Sequence, residues 1–188
     1  MNLETIRERL QLLSLVEVRG TFVRLVPYSA LAKITPPDWL FTSRKPNRYN
    51  PAGTECVYFA DEGVTAQSEY ESYGRGWPGE NQPFVTYYAE VQLGRVLDLH
   101  SAKTLKTLGL RESDLFAQWR TAKRPTVTQL IGQAINEDSI ASAIRYPSKA
   151  AKEAGFSGTN IVVFRDCIQK PDFVQILGSE KKPLQKWP

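Results

Sequence analysis

Histidine and cysteine are scarce: the sequence holds one histidine, His100, and two cysteines, Cys56 and Cys167. Three such residues so far apart give no zinc-ligand spacing. A Cys–His nucleophilic pair would have to join His100 to one of the cysteines, with nothing local to support it. Each cysteine lies in an apolar run, ECVYF or FRDCI, which fits two buried thiols better than a disulfide. Long apolar runs are missing as well. Nothing approaches the roughly 18 residues that cross a bilayer, so no membrane segment is expected. Glu4, Arg7, Glu8 and Arg9 stand among the N-terminal leucines, unlike a signal peptide. A cytoplasmic protein is expected, with export by a specialised secretion machine as the alternative. Neither the glycine fingerprint of a Rossmann site nor that of a P-loop occurs, so any nucleotide is held another way.

What is present is ordinary for a globular protein. The 188 residues are 41% hydrophobic and 23% charged, enough for one domain with a sizeable core. The net charge of +4 suits an anionic ligand without specifying one. Part of the excess lies in Arg44, Lys45 and Arg48, and part in Lys181, Lys182 and Lys186, which read as a solvated tail.

Leu3, Ile6, Leu10 and Leu13 recur at helical spacing, so residues 2–15 are expected to form an amphipathic helix, packed on the core edge or serving as a docking arm. Residues 1–19 are therefore expected as a helical extension ahead of a catalytic domain over 20–188. Strands are expected at 20–26, 56–60, 140–146, 160–164 and 173–177, with a strand pair over 84–99 broken at Gly94. Helices are expected at 65–73, 113–119 and 126–135, with Ser113 and Thr126 as caps. Residues 33–54 and 74–83 are rich in proline and glycine and read as loops. Separated strands and short helices without βαβ alternation indicate an α+β fold.

Polar residues at strand ends beside such loops are the ones placed to line a cleft. They are Arg24 within VRLV, Arg48 and Tyr49 closing the long loop, Tyr58 in the next strand, Glu69 on the following helix, and Arg145 and Ser148 around YP. Taken singly, each has a plain structural reading: a solvated arginine or glutamate, a core tyrosine, a strand-end serine.

Together they resemble the RES-domain family, named for an arginine, a glutamate and a serine. The segments that carry the resemblance are FVRLVP, RYNPAGTECVYFADEGVTAQSEY, LIGQAI, AIRYPSKA and NIVVF, in the family's order over about residues 20–178. The resemblance implies a compact mixed-sheet domain like that of ADP-ribosyltransferases. It implies a toxin neutralised by a helix-turn-helix antitoxin, or by an immunity protein, that degrades NAD by hydrolysis or phosphorolysis. ADP-ribosyl transfer onto a protein is the alternative. Arg24, Glu69 and Ser148 are then the name-giving residues, with Arg48, Tyr49, Tyr58 and Arg145 contributing to NAD binding.

The residue types suit that chemistry. Nicotinamide on ribose is already cationic and leaves neutral, so neither a strong acid nor a metal is called for. A carboxylate such as Glu69 stabilises the oxocarbenium-like sugar. Guanidinium groups at Arg24 and Arg48, with Arg145 as a third, match a diphosphate, and Tyr58 suits stacking on nicotinamide. Ser148 has no histidine beside it, so it is expected to hydrogen-bond phosphate or the nicotinamide amide and not to attack. No cofactor beyond NAD as substrate is expected. A competing reading is a nucleic-acid module built on Arg44, Lys45 and Arg48 near Trp39, Phe41 and Tyr49; the cluster is short and its aromatics irregular.

Overall fold

Gly94 does not break its segment: Phe84–Asp98 is one 15-residue strand, β3, and the rest of the sheet is organised on it. The structure, a computed structural model, describes residues 1–31, 45–72, 83–178 and 182–188. Trp39, Phe41, Arg44, Lys181 and almost all of the 74–83 loop lie outside the described residues.

The strands are β1 (Val16–Pro27), β2 (Cys56–Ala60), β3, β4 (Ala143–Pro147), β5 (Thr159–Phe164), β6 (Phe173–Leu177) and β7 (Pro183–Trp187). The helices are α1 (Leu3–Leu10), α2 (Tyr28–Leu31), α3 (Gly63–Ser72), α4 (Ala102–Leu108), α5 (Val127–Asp138) and α6 (Lys149–Glu153). The strand order is β1-β2-β5-β4-β3-β6-β7, mixed in direction. This is an α+β fold.

One edge of β3 pairs antiparallel with β1 from Val96 down to Phe84. Its other edge is shared: β6 takes Tyr88 to Gln92, and β4 takes Val96 to Asp98 in parallel. Where these two partners separate, Asp172 fills the gap. Its carboxylate accepts from the Gly94 N–H at 2.9 Å and from the Ser142 hydroxyl at 3.2 Å. Arg95 secures the same place by donating to the Ser139 and Cys167 carbonyls. Backbone groups that lose a ladder partner are thus satisfied by side chains. A single β1–β2 register pair, Val23 with Ala60, closes β1, β2, β5, β4 and β3 into a ring.

The central strands are apolar without alternation because both their faces are covered. Val57, Phe59, Ile161 and Val163 join one core with Phe22, Ala89 and Val174. Cys56, Val162 and Phe164 join a second with α1, α4 and α5. Neither cysteine is in a disulfide, both are buried, and burial pushes the Cys167 thiol up.

α1 is shorter than its leucine pattern and lies on the core edge, with Ile6 and Leu10 buried. Burying two such side chains contributes about 3–6 kcal/mol. Arg7 pairs with Glu137 at 2.6 Å and Asp138 at 2.8 Å at the end of α5, and Arg9 donates to the Leu108 carbonyl at the end of α4. Cations there also complement the helix dipoles.

Other expectations shift. β1 starts at Val16, four residues early, and β4 starts late, at Ala143. The expected helix at 113–119 is a 3₁₀ turn, Glu112–Phe116, because Asp114 accepts from the Arg111 N–H and tightens the chain; Ser113 does not cap it. Thr126 does cap α5, reciprocally with Gln129. Phe173–Leu177 is not the last strand, since Lys186 of the supposed tail lies in β7.

Gly132 on α5 sets how closely loop 45–51 packs. A Cβ there would sit 1.6 Å from the Tyr49 carbonyl oxygen, a backbone atom that cannot rotate away. Gly132→Ala is expected to cost about 1–3 kcal/mol or more and to lower the melting temperature by about 4–10 °C. A thermal melt by circular dichroism tests this, and an unchanged midpoint would refute the close approach.

Candidate active site

Glu69 stands one turn beyond Thr65 on the same face of α3. α3 comes close to α6 because residue 158 between them is glycine. A Cβ there would meet Thr65 Oγ1 at 2.6 Å and Ala151 Cβ at 2.8 Å. That approach carries Glu69 over Ser148, the N-cap of α6. The Ser148 hydroxyl accepts from the Ala151 N–H at 3.0 Å and donates to Glu69 Oε1 at 2.7 Å. Asn160, near the start of β5, donates its amide to the same oxygen at 2.6 Å. Ser148 is 1% exposed and Asn160 5%, so both donors are withdrawn from solvent. Glu69 Oε2 has no hydrogen bond among the described residues.

This carboxylate lines a cavity of about 260 Å³, with Arg24, Tyr58, Tyr70, Tyr146 and Asn160 among its other walls. Arg24 leaves β1 and donates from Nη1 to the Tyr58 carbonyl at 2.7 Å, bridging β1 to β2 where their pairing is a single register position. The Tyr58 hydroxyl donates to Asn50 Oδ1 at 2.9 Å and accepts from the Tyr49 N–H at 3.0 Å. Loop 45–51 is thereby fixed to the floor of β2. Gln129 adds a tie from α5 to the Asn47 carbonyl at 3.0 Å.

A family model described as the RES domain matches residues 27–182. The chain belongs to the RES-domain family. Comparison with curated proteins gives no match. Among solved structures, the chain is similar to one in the crystal structure of the M. tuberculosis MbcT–MbcA toxin–antitoxin complex. The TM-score is 0.63 and the identity 17%, over 98% of this chain and 92% of that one. At that identity the likeness shows the fold.

Of the RES residues expected to line the pocket, Arg24, Tyr58 and Glu69 do so, and Ser148 stands directly behind Glu69. Its hydroxyl is engaged by Glu69 and by the α6 cap, and Ser148 is not among the described residues that line the cavity. Arg48 does not join Arg24. Its guanidinium donates to the Leu115 carbonyl at 2.9 Å, away from the cavity walls. Tyr49 is fully buried, and burial pushes its phenol far above the usual range. Its ring centroid lies 4.4 Å from that of Tyr146, so it supports a pocket wall from behind without forming one. Arg145 faces a second cavity with Arg19, Asp61 and Thr159, and its guanidinium is 3.9 Å from Asp98.

Sequence reasoning missed Asn160 and Tyr146. Asn160 had a signal: it is the polar residue leading an otherwise apolar strand, NIVVF. Tyr146 had none beyond its neighbours.

Tyr58→Phe removes one donor and one acceptor from loop 45–51. Urea unfolding is expected to show a loss of about 1–3 kcal/mol, the cost of leaving buried partners unsatisfied. A midpoint equal to that of the wild type would mean that the hydroxyl does not hold the loop.

Proposed function

We propose that this RES-domain protein degrades NAD by cleaving the nicotinamide–ribose bond in the cavity beside Glu69. The observation that carries the reading is an acidic side chain presented to a pocket by two neutral donors, Ser148 and Asn160. No cation quenches it among the described residues. As the C1′–N bond breaks, its electron pair goes to the nicotinamide nitrogen, which leaves neutral. Positive charge gathers on the ribosyl carbon and ring oxygen, and a fixed carboxylate nearby stabilises it. Water then bonds to C1′ and loses a proton, giving ADP-ribose; phosphate in its place gives an anomeric phosphate ester. The nicotinamide ring is cationic while it is still bonded to ribose and so departs without further activation, and the step asks for no metal.

Tyr58 and Tyr146 offer rings for the nicotinamide, and Arg24 sets positive charge on the same pocket for the diphosphate. An enzyme that depletes NAD would harm its producer. Together with the toxin–antitoxin complex on the fold neighbour's side, this supports a toxin neutralised by a partner protein, with a helix-turn-helix antitoxin as the expected kind.

Glu69→Gln keeps the shape and both hydrogen bonds, because an amide oxygen accepts as a carboxylate does, and removes only the charge. NAD consumption followed by chromatography is expected to fall about 100-fold or more, with the fold intact. ADP-ribose as the product indicates hydrolysis and its phosphate ester indicates phosphorolysis, whereas label retained on a protein band indicates transfer. A wild-type chain that leaves NAD untouched, or a variant as fast as wild type, would sink the reading.

A further inference from the structure

Glu69 Oε1 receives two short hydrogen bonds, yet only one of the donors belongs to the family's name. Asn160 is the other. It lies in β5 between Ala60 of β2 and Tyr146 of β4, in the middle of the sheet, and 5% of its surface is exposed. A polar side chain there interrupts a strand whose next four residues are Ile161, Val162, Val163 and Phe164, all buried. Burying an amide among apolar neighbours is unfavourable unless its hydrogen bonds are made. Among the described residues its Nδ2 has one acceptor, Glu69 Oε1 at 2.6 Å, and that acceptor belongs to the pocket.

The chemistry of the three groups fixes who donates. A carboxylate only accepts, so the Asn160 amide nitrogen must face it. The Ser148 hydroxyl already accepts from the Ala151 N–H, so its proton is available to Glu69. Two donors converging on one oxygen hold the carboxylate's rotation, since turning it would break both bonds at once. One donor alone would act as a hinge. Both donors stand on elements of the scaffold, a sheet strand and a helix cap, whereas Glu69 stands on α3, which buries only Thr65 and Ala66.

The geometry points to Asn160 as a positioning residue: with Ser148 it clamps Glu69 Oε1 and so presents Oε2 to the substrate. Asn160 acts through Glu69. The assignment rests on the NAD-cleaving reading for its kinetic consequence but not for its structural one.

The test compares Asn160→Ala with Asn160→Asp in the full chain. Asn160→Ala removes one donor, and kcat for NAD cleavage is expected to fall about tenfold, with KM changed less than about threefold. Asn160→Asp, although closer to asparagine in shape, sets a second carboxylate against the first. It is expected to fall further, about 100-fold. A residue needed only for packing would give the opposite order, because aspartate fills the site and alanine does not. Aspartate milder than alanine, or an effect on KM alone, therefore overturns the proposal. Should Asn160→Asp fail to fold, Asn160→Leu, similar in size without a donor, takes its place. It is expected to be at least as slow as Asn160→Ala, and wild-type kcat in it overturns the assignment.

A crystal structure of Asn160→Ala separates this idea from the activity itself. The Glu69 carboxylate is expected to leave its wild-type position or to occupy more than one. If it stays fixed, the clamp is refuted whatever the chain does to NAD. If it moves in a chain whose wild type leaves NAD intact, the clamp stands and only the substrate was misread.

Discussion

A carboxylate beside a cavity has two ways to be stabilised, a cation or neutral donors, and Glu69 has the second. The difference governs what the site can do. A guanidinium in contact would cancel most of the field that the carboxylate projects into the pocket. A hydroxyl and an amide stabilise the charge by dipoles and leave its sign exposed to whatever enters. Such an arrangement depends on geometry, because dipoles act only when aimed. Three separate elements must therefore meet within hydrogen-bond distance: α3 brings the acid, α6 the serine and β5 the asparagine. Gly158 lets them do so, since any side chain there would push α3 and α6 apart.

The same demand for aim explains the polar ties around the cavity. Tyr58 is fastened at its hydroxyl to Asn50 and Tyr49, and Arg24 is fastened to the Tyr58 backbone. Tyr146, on the wall, is backed by the buried ring of Tyr49. Rings locked from behind lose little freedom when a flat ligand stacks on them, which favours binding. The loop at 45–51 contributes through this support, and its anchor is the α5 surface cleared by Gly132.

How much of this was legible follows from range. β2 and β6 have the bounds expected, Cys56–Ala60 and Phe173–Leu177, since each is an apolar run closed by turn residues. The early part of β1, VEVR, alternates apolar and polar as a half-buried strand does, but it is only four residues long and leads into Gly20, where the expected strand begins. β7 was missed because Pro183 and lysines read as a tail, although proline and lysine suit an edge strand. Gly94 misled for a longer-range reason: it marks a place where a carboxylate from 78 residues downstream bonds the backbone. No local window contains that partner. Among site residues, Arg24, Tyr58 and Glu69 reach one cavity, whereas Arg48, Tyr49 and Arg145 are redirected by Leu115, Tyr146 and Asp98. Residue type indicated chemistry in all six; only packing separated wall from support.

The span of the family match sharpens that distinction. It begins at residue 27, so α1 and nearly all of β1, Arg24 included, fall before it. Yet β1 is the strand that closes the ring against both β2 and β3, and Arg24 is a wall of the pocket. A pocket in a closed sheet needs its closing strand, so the site cannot be delimited by the matched residues alone. The physical unit that holds Glu69 in place includes everything that keeps the ring shut. On that argument the N-terminal strand belongs to the site as much as the glutamate helix does.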